Sequence, residues 1–517
     1  MRRLRNCGQI LGAEFVVFAR GTTIHGVPNM AAKKLHPLER LFWSIIIALA
    51  IYAAILLSVQ NVNRYYANPT VVSIQKDYRN WFNPFPSATA CFVNKVDEVF
   101  VDEYIEETWG LNESDSKYEY YREFVTTVAN ISYTSLHRLE KFAQDDELKA
   151  IDLLELAAKV HPELTGNLVT FDTQRKTDWH LVMTELGICF SVNTKMAKHF
   201  TYSVMGPNST IIGSSNLPNE EHILHCHYLN GLCYARYDSD PLAPLQIYVH
   251  SYLDIAHATS EAPLHVKESE ELEINFKMQH ASANPKLKTL SPAQRKCRFD
   301  DEPLTKDIPA YSTSICYMAC RLKLVKKLCG CRPFFYHKFS GRECDLSELL
   351  CVAKYSKEIT RPPTELGCNC PEPCDFIKYL AEAPKVTMWE YGYFDQRLTF
   401  RWGLLPPTTK YHRDIIFGFD DLIVSIGGTL ALLLGVSFIT AMEIIFFVIH
   451  LIIVVLLPRK QEKRLIKTKS GSNNAIKWNN PSKLRKISSN SDKTSKPQVY
   501  IIKKQVNRGT LFIPYLD

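Results

Sequence analysis

The 517-residue chain has no H-E-x-x-H, G-x-S-x-G or G-x-G-x-x-G sequence and no phosphate-binding loop. Those spacings build zinc hydrolases, nucleophile elbows and nucleotide sites, so the sequence offers no catalytic centre and no organic cofactor site, and it reads as a non-enzyme. It lacks a signal-peptide core as well, because Glu14 cuts short the apolar patch at residues 15–19. Its close cysteines, Cys329-Gly-Cys331 and Cys368-Asn-Cys370, lack the two-residue spacing of zinc ligands, and no metal site is expected. Only two stretches, residues 41–59 and 422–457, are long and apolar enough to cross a bilayer.

Those two stretches set the topology. Two spans place both termini on one side, and the charge says which. Residues 1–40 carry +5 and residues 458–517 carry +12, against −10 between them. By the positive-inside rule the two tails are cytoplasmic and residues 60–421 extracellular. Basic tails beside a membrane attract anionic lipid, and no nucleic-acid partner is expected. Cysteine usage agrees: Cys7 stands alone before the first span, and the other fourteen of the fifteen lie between the spans. Three sequons, at Asn112, Asn130 and Asn208, fall in the same region. The basic tail after residue 458 has the composition of a disordered segment.

The second stretch is too long. An unbroken helix over residues 422–457 would measure about 54 Å against a hydrocarbon core of about 30 Å. An interruption is expected, with candidates at Gly427-Gly428 and at Gly435-Val436-Ser437. Broken backbone at membrane depth is tolerated where it is buried in protein or lines water, and Glu443 inside the segment points the same way. Asp420 and Asp421 precede it at the outer mouth. Between the spans, the apolar spacing over residues 139–160 predicts an amphipathic helix. Cys316 and Cys320 share a face on a helix, and Cys368 and Cys370 share a face on a strand. Spacing alone does not choose among the pairings that the ten cysteines from 297 to 374 allow.

The run GG, six residues, GVS, then FITAME resembles the second transmembrane segment of the epithelial sodium channel, degenerin and acid-sensing channel family. Thr22-Thr23-Ile24-His25-Gly26 resembles the family's His-Gly motif before the first span. Residues 85–91, FPSATAC, and 187–193, GICFSVN, resemble two of its palm strands, and the cysteines from 297 to 374 resemble its stapled thumb. The divergent middle and short thumb-to-membrane connection resemble the arthropod pickpocket branch.

The resemblance implies an integral membrane α+β fold: two transmembrane helices flanking a disulfide-rich extracellular domain with palm, finger, knuckle and thumb, the thumb at about 297–374. Three chains, in a homo- or heterotrimer of related subunits at the plasma membrane, would form a sodium-preferring, amiloride-sensitive pore whose permeant species is the sodium ion. Gly435, Val436 and Ser437 would be the selectivity filter. His25, Gly26, Val424, Gly427 and Gly428 would act in gating, with Val424 at the degenerin position, and Asp420, Asp421 and Glu443 would serve the pore. The implied disulfides are Cys91–Cys189, Cys297–Cys374, Cys316–Cys370, Cys320–Cys368, Cys329–Cys351 and Cys331–Cys344, which leaves Cys226 and Cys233 as a local pair. Gln294 stands where acid-responsive members have a Trp, so the resemblance does not carry proton gating over, and Ser425 and Ala431 replace a family Asp and Gly, so it does not carry the family's conductance over either. A two-span lipid-binding receptor would share the topology but has no use for a glycine-broken span, and an ATP-gated trimer would not carry the nested thumb cysteines.

Overall fold

The computed structural model describes residues 2–32, 35–172, 177–202, 204–205, 211–212, 223–240, 244–392 and 395–456. Asn208, Leu457 and the basic tail lie outside them. The chain divides into Met1–Leu451, which holds the features below, and Ile452–Asp517, whose described residues complete the last helix.

The helix carrying the first apolar run extends well past residues 41–59, over Pro37–Ala67. Hydropathy marks what sits in lipid, whereas local chain signals mark where a helix ends. His36 accepts from the Leu38 N–H at the start, and Asn68-Pro69 stops the helix at the far end. The strand Thr70–Gln75 follows directly and pairs antiparallel with Lys410–Ile415, which leads into the second apolar segment at Phe419.

These two strands form the membrane-side edge of an eight-stranded sheet organised on the 14-residue strand Glu270–Ala283. In order it runs Thr70–Gln75, Lys410–Ile415, Glu270–Ala283, Thr399–Leu404, Cys233–Ser239 and Gly166–Thr170, with Phe376–Ala381 and Lys385–Met388 also pairing to the long strand. A five-stranded sheet, in the order Leu264–Val266, Leu245–His250, Ser87–Phe92, Gly187–Val192 and His180–Thr184, packs against it. Phe85, Phe92, Tyr237, Phe400 and Trp402 fill the shared core, and burial of apolar area of this kind is the main stabilising term.

The single amphipathic helix expected over residues 139–160 is instead three pieces: a 3-10 turn at Leu136–Phe142 and short helices at Asp146–Lys149 and Leu153–Lys159. Two aspartates account for the breaks. Asp145 caps the N–H of Glu147, and Asp152 caps those of Leu154 and Glu155, so each starts a helix where the apolar period would continue one. The apolar positions are still buried, packed with the finger helix Tyr118–Ala129 against the thumb.

The thumb helix Thr313–Cys329 begins at Ser312, whose Oγ accepts from the Ile315 N–H, and ends at Gly330 with φ +76°. Disulfides join Cys316 to Cys370, Cys320 to Cys368, Cys329 to Cys351, Cys331 to Cys344 and Cys297 to Cys374, and Cys91 to Cys189 in the palm. Cys226 and Cys233 do not form the expected bond and are buried thiols. They flank the turn at residues 227–232, with Cys226 hydrogen-bonded to Cys233, and burial pushes the Cys226 thiol up, which keeps it protonated. Elimination assumed that every exported cysteine must pair, but a buried thiol packs as a small hydrophobe.

Four histidines of this domain are kept neutral chiefly by burial and secondarily by a nearby cation. His161 is pushed down to about 3, with Lys95 nearby, and His257 to about 4, with Arg321 nearby. His280 and His337 are lowered to about 4 in the same way, beside Lys410 and Lys338. Above the free value of 6.5 neither the folded nor the unfolded chain is protonated at these sites. As pH falls from about 6.5 toward 4 the unfolded chain takes protons the folded chain refuses, so stability declines, by about 2 kcal/mol per fully buried histidine at pH 5. Thermal unfolding of the solubilised protein should show a Tm that drops between pH 7 and 5; a flat profile would contradict the neutral, dry placement of these rings.

Candidate pore segment

The second apolar segment is two helices, Phe419–Leu434 and Phe438–Leu456, bent by 81° across residues 435–437. Of the two expected break points, only the second is used. Gly427 and Gly428 lie inside the outer helix, and a Cβ on either would meet nothing within 4 Å.

Local chemistry explains why the break falls at Gly435-Val436-Ser437. Gly435 takes φ +66°, its N–H donates to Ala431 O at 2.9 Å, and the Val436 N–H reaches back to Leu430 O at 3.3 Å. This is a left-handed (αL) helix ending, which favours glycine. Ser437 then caps the inner helix, its Oγ accepting from the Thr440 N–H at 3.3 Å while its carbonyl accepts from the Ala441 N–H at 3.0 Å. One tripeptide therefore stops one helix and starts the next, with Val436 as the bridge.

The N-terminal loop docks on this break. The helix Arg2–Gly21 ends just before Thr22, and the His25 N–H donates to Leu434 O at 2.9 Å. The His25 ring lies over Gly435 so closely that a Cβ there would stand 2.6 Å from three ring atoms. Gly26, at φ +81°, seats the other side of the loop on the first span, where a Cβ would meet Ile47 at 3.2 Å and Trp43 at 3.3 Å. Thr23 Oγ1 lies 2.7 Å from Thr440 Oγ1 and donates to Glu443 Oε2 at 3.3 Å. Glu443 is thus engaged by the loop. Further in, Phe18 stacks on Phe447 at 4.2 Å, and Glu14 lies 3.5 Å from His450.

At the outer end, Asp421 accepts from the Gly418 N–H at 2.8 Å and caps the outer helix, while Asp420 and Val424 are exposed, Val424 by 72%. Val424 and Gly435 are eleven residues apart on one helix, about 16 Å along its axis, so the expected site residues form two clusters at opposite ends. In the domain between the spans, Asn112 is exposed, whereas the Asn130 side chain is half-buried and engaged: its amide donates to Asn94 and Thr126 O and its oxygen accepts from the Lys95 N–H. Gln294 is occupied in a capping box with Ser291.

Sequence reading missed the polar centre that joins thumb to palm. Arg321, on the thumb helix and fully buried, forms a two-pronged ion pair with the fully buried Glu185 in the turn before Gly187, at 2.7 and 2.5 Å. Tyr336 donates to the same carboxylate, Tyr133 bonds Tyr336 at 2.6 Å, and Thr259 accepts from Arg321 at 2.8 Å. Burial, the largest influence on Glu185, opposes its ionisation, but the charge and hydrogen bonds of Arg321 outweigh it and hold the carboxyl below its usual range. A charge at residue 185 and another at 321 give no signal in sequence that they meet. Thr23 and Thr440 were visible within their motifs but not as partners.

A model of the amiloride-sensitive sodium channel family matches residues 18–447. Sodium channel protein Nach of Drosophila virilis is 23% identical over 232 residues, covering 41% of this chain and 60% of that protein. Pickpocket protein 28 of Drosophila melanogaster is 24% identical over 194 residues, 33% of this chain and 32% of the relative. The chain therefore spans about 60% or less of these insect relatives. The bile acid-sensitive ion channel of Rattus norvegicus aligns more widely, at 22% identity over 479 residues, 83% of this chain and 86% of the relative. A solved proton-activated chloride channel matches 80% of the chain at 6% identity and a TM-score of 0.21, too low to bear on the fold. The family match runs from the N-terminal helix through the His-Gly loop, the palm and the thumb to the bent helix pair, and the chain belongs to the amiloride-sensitive sodium channel family of membrane ion channels, alongside arthropod pickpocket relatives.

Proposed function

We propose that the chain is a subunit of a trimeric, sodium-preferring, amiloride-blocked cation channel of the plasma membrane, with cytoplasmic termini and a gate answering an extracellular or mechanical stimulus. The observation that carries this reading is the self-capped break at Gly435-Val436-Ser437 with the His-Gly loop seated on it. Three such breaks around an axis would present backbone carbonyls and Ser437 hydroxyls to a partly dehydrated cation. The exposed Asp420, tripled, would raise the cation concentration at the outer mouth. Expression in oocytes, alone and with related subunits, tests it: a standing or evoked current carried by sodium over potassium and blocked by amiloride is expected. A surface-expressed channel whose current ignores both sodium substitution and amiloride would reject it.

The outer helix supplies a second test. Val424, more exposed than the neighbouring apolar Phe419 and Ile423, lies near the mouth, where three copies would converge on closing. Overpacking commonly costs about 1–3 kcal/mol, which moves a gating equilibrium about tenfold. Some constitutive current is expected in the native channel, less in Val424→Gly and about tenfold more in Val424→Phe. A Val424→Phe channel that reaches the surface without added amiloride-sensitive standing current would rule out the steric account.

A further inference from the structure

A cleft of about 980 Å³ lies between the finger helix Tyr118–Ala129, the turn Leu136–Phe142 and the end of the palm strand Ser87–Phe92. Lys95 lines it and is only 8% exposed. Its ammonium donates to the Leu186 carbonyl, and no carboxylate among the described residues lies within ion-pair reach of it. The chain makes room for this group: Gly187 sits at φ +85°, and a Cβ there would be 2.7 Å from the ammonium. A buried cation answered only by a carbonyl is a destabilising arrangement. Burial accordingly pushes Lys95 down to about 8.

The rest of the lining repeats the imbalance. Arg138 and Lys141 face the same cleft against a single carboxylate, Glu123, which is already paired with Lys141. Asn94 accepts from the Asn130 amide at 2.9 Å through its oxygen, so its own amide N–H groups remain for a ligand. Val93 and Tyr248 supply apolar surface. An inorganic ion would leave most of this volume empty, whereas organic ligands fill clefts of about 300–1,000 Å³.

We propose that this cleft is a binding site for a small organic carboxylate, its oxygens received by Lys95 and Asn94 with Arg138 at the rim and its apolar body against Val93 and Tyr248. The site borders the thumb lock, because Leu186, which receives Lys95, follows Glu185, which holds Arg321. The proposal does not depend on ion selectivity, and its test needs no current.

The test uses the purified full chain in nanodiscs with 4-fluorobenzoate as the probe, read by fluorine NMR line broadening. Broadening is expected for 4-fluorobenzoate and not for its neutral counterpart 4-fluorobenzamide. Lys95→Gln should weaken it at least tenfold, and Arg138→Gln by less. The groups facing Lys95 are His161, which burial keeps neutral, and the charged Glu123, Arg138 and Lys141. Binding to the native chain should therefore weaken about tenfold between pH 7 and about 9, as the share of protonated Lys95 falls. This titration, with Arg138→Gln, decides the matter even where Lys95→Gln does not fold. Equal broadening by the benzamide, pH-independent binding, or unchanged binding in Lys95→Gln overturns the proposal. So does loss of the probe when chloride replaces methanesulfonate, which would make the cleft an inorganic-anion site.

Discussion

Gly435→Ala is expected to bring the sodium-to-potassium permeability ratio close to one while the channel still reaches the surface. Two effects act at once. The residue holds φ +66°, where a side chain costs about 1–2 kcal/mol, and its new methyl group would stand 2.6 Å from the His25 ring. Backbone at the break cannot yield without unmaking the cap on one helix and the start of the next, so the His-Gly loop is the part that shifts. The two causes separate in a double-mutant cycle. His25→Gly in the Gly435→Ala background should recover part of the lost selectivity, because the clash is gone while the backbone strain stays. Additive effects of the two changes would show that loop and break act independently. Unchanged reversal potentials in Gly435→Ala itself would remove the tripeptide from the selectivity role.

Arg321→Gln is expected to cost the domain between the two apolar segments about 3–5 kcal/mol, the usual consequence of stripping the partner from a buried charge. At surface-biotinylation level this should appear as a loss of mature channel of tenfold or more. The pair Arg321→Gln with Glu185→Gln should restore part of it, since no unpaired charge is left in the centre and the one amide oxygen at 185 still accepts from Tyr336, while the Ala258 N–H, which donates to the other carboxylate oxygen at 3.0 Å, loses its acceptor. The pH dependence has a definite sign. Glu185 is lowered in the folded state, so its contribution is present above the unfolded carboxylate value of about 4.5 and is lost as pH falls through the lower folded one. Equal loss of surface protein in the single and the double variant would show that shape, not charge, is what the centre supplies.

What the sequence made legible follows from range. The overlong apolar segment and its glycines required a break, because length, membrane thickness and the capping preferences of Gly and Ser act over a few residues. The choice between Gly427-Gly428 and Gly435-Val436-Ser437 needed more: two adjacent glycines weaken a helix, but only the tripeptide couples a stop to a start. The helical period over residues 139–160 found the right buried positions and the wrong element, since Asp145 and Asp152 reset the helix without disturbing the apolar pattern. Cys226 and Cys233 were misjudged because counting cysteines carries no information about packing. Lys95, Glu185 and Arg321 stayed hidden for a plainer reason, that charges are common and their burial is decided by elements far away in the chain.

The strands Thr70–Gln75 and Lys410–Ile415 have a mechanical consequence. Each leaves a span after only two or three residues, and the elbows are tied together, with Pro69 O accepting from both the Ile416 and Phe417 N–H groups at 2.9 and 3.1 Å. The outer ends of the two spans therefore hang from a single stiff ribbon rather than from two independent tethers. A load applied to one strand alone is shared with the other through the ladder, and through Lys410–Ile415 with the long strand Glu270–Ala283. Movement of the large domain would therefore reach both helices through one joint and not through either alone.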